Sequence, residues 1–130
     1  METSQAIPPA FLAERERQVS GEGYDSRHDD EHIDGELLAV ARMYYQRAIG
    51  MALPMRDTWD RGDRKPVPVG FPWEPKWWKP KTPQRDLERA GALCLAELDR
   101  LKRAGRESVG HVDEQLGAIA AAYQVLPQWL

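Results

Sequence analysis

The stretch from His28 to Leu37, HDDEHIDGEL, crowds carboxylates and two imidazoles together just ahead of an apolar run. On a helix, residues three, four and seven apart share a face. Asp29, His32 and Glu36 have that spacing, and His28 lies one turn before His32. Carboxylates suit Mg²⁺ or Mn²⁺, and an added imidazole moves the preference toward Mn²⁺, Fe²⁺ or Zn²⁺. Glu36 flanks the apolar positions Ile33, Leu37 and Val40, so its carboxylate would be partly desolvated and in need of a partner. Asp86 and Glu97 sit about three turns apart on a later helical stretch, on one face with Ala90 and Leu93. Antiparallel packing would let either approach Glu36. The expected cofactor is a divalent metal, Mg or Mn before Zn, held by Asp29, His32 and Glu36 with Asp86 or Glu97. The plainer alternative is a solvated or capped helix start, because the macrodipole alone favours acids there. A polar ligand site without metal is a third.

FPWEPKWWKPK, Phe71 to Lys81, is the second unusual stretch. Trp73, Trp77 and Trp78 alternate with Lys76, Lys79 and Lys81. Aromatics beside cations can stack a base and hold a phosphate. Arg85 and Arg89 follow at the end of the same stretch. The expected ligand-binding residues are therefore His28, Trp77, Trp78, Lys79 and Arg85. Tryptophan also anchors protein interfaces, and indoles can simply cover a helix pair.

These residues need elements to position them. Met1 to Pro8 reads as a disordered tail, and residues 9–130 as a single all-α domain of about four helices. Pro9 is an early helix position, with good helix formers from Ala10 to Val19. Ser26 to Asp29 resembles a capping box, and a helix should run from there to about Ile49, stopped by Gly50. Ile33, Leu37, Val40, Tyr44 and Ala48 form its buried stripe. Gly35 is a poor interior residue and would permit a close approach. Residues 50–84 hold seven of the ten prolines and four of the five tryptophans. That excludes a long helix or a central strand, so the segment reads as an ordered but irregular loop. Thr82-Pro83 caps a helix to about Ala104, closed by Gly105. Leu87, Gly91, Cys94, Leu98 and Leu101 form its stripe. Ser108 begins a C-terminal helical extension, residues 106–130, with Val112, Leu116, Ile119 and Tyr123 inward.

Composition narrows the function. The 130 residues carry a net charge of −3 with 42% hydrophobic residues. No basic excess is present to hold a phosphate backbone, so duplex nucleic acid is an unsuitable partner. The single Cys94 excludes an internal disulfide and a cysteine-based zinc site. No apolar run is long enough for a membrane span, and a cytoplasmic protein fits best. P-loop, Rossmann and HExxH patterns are absent.

ERERQ (Glu14 to Gln18), EGYDSRHDDEHIDGEL (Glu22 to Leu37), PWEPKWWKPK (Pro72 to Lys81) and RDLERAGALCLAELDRL (Arg85 to Leu101) resemble a group of short phage- and prophage-encoded proteins without an established activity. That resemblance implies a phage origin and a host-cell cytoplasm. A weaker similarity is to the MazG-like all-α nucleoside triphosphate pyrophosphohydrolases, which hold Mg²⁺ with an E-x-x-E and an E-x-x-D. Glu31-x-x-Asp34 is a variant of the first half; Asp86-Leu87-Glu88 and Glu97-Leu98-Asp99 depart from the second.

Two functions follow as expectations. In the first, the metal binds or hydrolyses a nucleotide phosphate: it polarises a phosphoryl oxygen and activates water, with Glu36 or Asp30 as catalytic base. In the second, a non-enzymatic phage protein binds and inhibits a host defence protein through the Trp-rich loop and the acidic helix. A third reading is a structural accessory protein with no ligand, and whether the chain is an enzyme stays open among them. Long amphipathic helices make a homodimer a reasonable expectation.

Overall fold

The computed structural model describes residues 7–22, 35–106 and 109–129. Four helices are described: α1 (Pro9–Glu22), α2 (Glu36–Ala48), α3 (Pro83–Arg103) and α4 (Gly110–Trp129). Between α2 and α3 lie two strands, β1 (Met55–Asp60) and β2 (Asp63–Pro68), and a 3₁₀ turn at Pro75–Trp77. The fold is therefore mostly helical but not all-α. The residues expected to form an irregular loop build an antiparallel hairpin.

The prolines explain why the hairpin was not expected and why it forms. Arg61 (φ 54°) and Gly62 (φ 84°) are both left-handed, as a two-residue type I′ turn requires. The pair that closes such a turn, Asp60 with Asp63, is hydrogen-bonded, and pairing alternates from there. Pro66 and Pro68 oppose Asp57 and Met55, which are non-hydrogen-bonded positions. Their nitrogens face away from β1, so neither interrupts the ladder. The Val69 N–H bond to the Pro54 carbonyl, 2.8 Å, extends the same alternation.

α3 is the central element. Its N-terminus is capped as expected, with Arg85 N–H donating to Thr82 Oγ1 at 3.2 Å. Leu87, Ala90, Leu93, Cys94 and Leu101 are buried along it. α2 packs antiparallel to α3: Arg47 meets Asp86 and Tyr44 meets Arg89. Leu37, Val40, Ala41 and Tyr44 fill that seam. α4 contributes Val112, Leu116 and Ile119 to the same core, so the C-terminal helix is integral to the domain. It extends to Trp129, beyond the stop expected at Pro127.

α1 lies on α3 through one close fit. Phe11 is wholly buried, edge-on to Tyr123 at 5.2 Å between centroids. A Cβ on Gly91 would lie 2.2 Å from Cδ2 of the Phe11 ring. The gap in the α3 stripe at Gly91 is the seat for that ring.

The helix expected from Ser26 to Ile49 does not run unbroken. Gly35 is left-handed (φ 82°) and stands at the N-cap of α2. An α-helix cannot pass through that conformation. The i, i+4 relation of His32 to Glu36 is thus not carried by one continuous helix.

Candidate functional site

His28, Asp29, Asp30 and His32 lie outside the described residues. Glu36 is the first residue of α2 and half-buried. Asp86 lies beside Arg47 at the opposite end of that helix, about 16 Å of helical rise away. Both its oxygens are engaged: Oδ2 accepts from Arg47 Nη1 at 2.6 Å and Oδ1 from the Lys81 N–H at 2.7 Å. Glu97 accepts from Nε and Nη2 of Arg100, at 2.7 and 2.9 Å. Among the described residues no group of three histidine, cysteine or acidic side chains is arranged to hold a metal. Asp86 and Glu97 are both buried. Each carboxylate is neutralised by an arginine, the usual requirement for a buried charge.

A second acidic cluster escaped the sequence reading. Glu14 of α1 has a nearly fully buried side chain, at 1% exposure. It accepts from Arg17 at 2.8 and 2.7 Å, from Arg85 at 2.9 Å and from Gln18 at 3.3 Å. Arg85 also pairs with Glu88, which accepts from the Tyr123 hydroxyl at 2.6 Å. So Arg85, expected at a phosphate, instead ties α1 to α3. Phe11, Glu14 and Gln18 are spaced three and four, one inward stripe, and that spacing was the available signal. Burial alone would raise the Glu14 carboxyl. The hydrogen bond and charge of Arg17, then Arg85 and Arg89, outweigh it and hold the group below the usual carboxylate range. Burial and the Glu88 carboxylate push the Tyr123 phenol up to about 12. Ala10, Ala13, Glu14, Arg17, Arg85 and Glu88 line a cleft of about 210 Å³, below the size of ordinary ligand pockets.

A depressed carboxylate stabilises the fold above its unfolded pKa and loses that contribution as pH falls through the folded value. Acid unfolding should therefore include a Glu14 step at and below the ordinary glutamate range. Glu14→Gln should lower stability at neutral pH and flatten that limb of the stability–pH curve. An unchanged acid limb in chemical denaturation would show that Glu14 titrates normally.

The tryptophans divide into two sets. Trp78 is buried, stacked on Tyr44 at 4.5 Å and edge-on to Phe71 at 5.7 Å. The Tyr44 hydroxyl accepts from the Lys79 N–H at 2.9 Å and donates to the Trp77 carbonyl at 3.3 Å. Tyr44 thereby fastens the tryptophan stretch to α2. Trp77 is half-buried, with the ammonium groups of Lys76 and Lys79 at 5.3 and 4.9 Å from its ring centre. This stretch covers the helix pair, as one sequence reading held.

Trp59 is different. It projects from β1 at 65% exposure, next to the hairpin turn. Met55 is four residues before it on the same face of the strand, with Asp57 between them. Met51 and Val69, just outside the strands, are also exposed. The sequence could not separate this indole from the others, because the hairpin that turns it outward was not read as strands.

Comparison with known proteins finds no matching family model, no matching curated protein and no matching solved structure. Among the described residues no helix is long and apolar enough to cross a membrane.

Proposed function

We propose that this chain is a non-enzymatic binding protein that docks on a partner protein through its hairpin, with Trp59 as the anchor. One observation carries this reading: Trp59 stands in solvent on a defined hairpin, with exposed Met55 on the same face of its strand. An exposed indole belongs to the residue types most enriched at interface hot spots. The type I′ turn and two-strand ladder hold its backbone before binding, which lowers the ordering cost of association. The buried acids supply no competing chemistry, because Asp86, Glu97, Glu14 and Glu88 are each spent on an arginine. The resemblance to phage-encoded proteins supplies the class of partner, a protein of the host cell.

A nucleotide-phosphate reading keeps Lys76 and Lys79 beside Trp77, but both ammonium groups already lie against the ring that a base would stack on. A metal would have to draw on Asp29 and His32.

The test is affinity capture of one host protein by the purified chain. Trp59→Ala should reduce capture at least about tenfold, the effect of a hot spot. Its circular dichroism and melting temperature should stay unchanged, since the side chain packs on little. Equal capture by the two proteins would refute the reading.

A further inference from the structure

The two edges of the hairpin are not alike. Pro66 and Pro68 leave the outer edge of β2 without two of its donors, which closes it to another strand. The outer edge of β1 carries the N–H and C=O groups of Met55, Asp57 and Trp59, by the same alternation that turns the proline nitrogens outward. These groups have no partner among the described residues. Met55, Arg56, Asp57 and Trp59 are exposed, so nothing described covers this edge.

We propose that β1 pairs with β1 of a second copy of this chain, antiparallel and centred on Asp57, to give a four-stranded sheet in the order β2-β1-β1-β2. The inference rests on the reading of the hairpin as a docking element and names one partner of it.

Three features make the strand complementary to itself. First, the centred register sets Asp57 opposite Asp57 of the second copy and Met55 opposite Trp59 of the second copy. Every outward backbone group of the three residues is then used. Centring on Thr58 instead would leave Met55 facing the turn. Second, Met55 packs against Trp59 of the other copy twice, a sulfur–aromatic pairing. It joins two small apolar patches into one. Third, on the opposite face Arg56 lies diagonal to Asp60 of the second copy, within reach of a long side chain. Neither Arg56 nor Asp60 has an ion pair among the described residues. The one opposing element is Asp57 against its own copy. Each Asp57 is already paired with Arg64 at 2.7 Å, which offsets the repulsion. Because the prolines then occupy both outer edges, the sheet ends at four strands.

Sedimentation equilibrium of the full chain tests this. A reversible monomer–dimer equilibrium is expected. Asp57→Pro removes an outward donor without touching the internal ladder, and should abolish the dimer while the monomer keeps its helical dichroism. Asp57→Asn removes the like-charge contact and should tighten the dimer roughly threefold. A third variant does not depend on tolerance of proline. Asp57→Cys places two thiols across a hydrogen-bonded pair, about 5.5 Å between Cα atoms, a span that a disulfide fits. Cys94 is buried, so mild oxidation should give one covalent dimer through position 57. Thr58→Cys, on the other face and out of register with itself, should not. A monomer at every concentration, or a dimer that survives Asp57→Pro and does not cross-link at 57, would overturn the proposal. Trp59-dependent capture of a host protein by such a monomer would leave the function intact. A dimer without that capture would leave the pairing intact and remove the function.

Discussion

Gly91→Ala is expected to destabilise the protein by about 2 kcal/mol, although helix propensity alone would make it stabilising by about 1 kcal/mol. The sign is decided by the Phe11 ring. The added methyl would lie 2.2 to 2.5 Å from three ring carbons, and the ring has nowhere to go. It is fully buried and braced edge-on by Tyr123. Relief requires α1 to lift from α3, which would also lengthen the Arg85–Glu14 contact. Urea denaturation should show a lower midpoint. Combined with Phe11→Leu, the effect should shrink, because the smaller side chain vacates part of the seat; this coupling separates a local clash from a general loss. A neutral or stabilising Gly91→Ala would mean that the two helices separate at little cost.

The second large effect is expected at the Arg47–Asp86 pair, and it is asymmetric. Asp86 is fully buried while Arg47 is 42% exposed. Arg47→Ala leaves a carboxylate out of water with only the Lys81 N–H, and should cost about 3 kcal/mol. Asp86→Ala frees a guanidinium that can turn into solvent, and should cost about 1 to 2 kcal/mol. The double variant should be no worse than Arg47→Ala alone. Thermal or chemical denaturation of the three proteins checks the order. An Asp86→Ala effect larger than that of Arg47→Ala would mean that the Lys81 hydrogen bond, not the charge pair, holds the loop to α3.

Helix content was legible because helical period and capping are local. Thr82, the α3 stripe and the buried half of α2 follow directly from spacing. Gly35 was read as a tolerated interior glycine, whereas its left-handed backbone begins the helix. No pattern of side chains distinguishes those two uses. Pro66 and Pro68 weighed against strands because their damage depends on which way the nitrogen points, and that is fixed by register with Met55 and Asp57. Spacing sets the acids Asp86 and Glu97 on one face with Ala90 and Leu93, and both acids are buried. Their partners were missed for different reasons. Arg100 is one turn from Glu97 and could have been seen. Arg47 meets Asp86 only through tertiary packing.

The hairpin also bears on how the chain finds its fold. α2 and α3 must meet across a long connection, and closing a flexible loop costs entropy that grows with its length, about 0.6 kcal/mol for each doubling. A hairpin with a two-residue turn forms in microseconds from local contacts. Once Pro54 and Val69 are joined, nearly half of that connection no longer counts toward the search. The residues that carry the outward indole thus double as a shortcut, lowering the contact order that the two central helices would otherwise have to overcome.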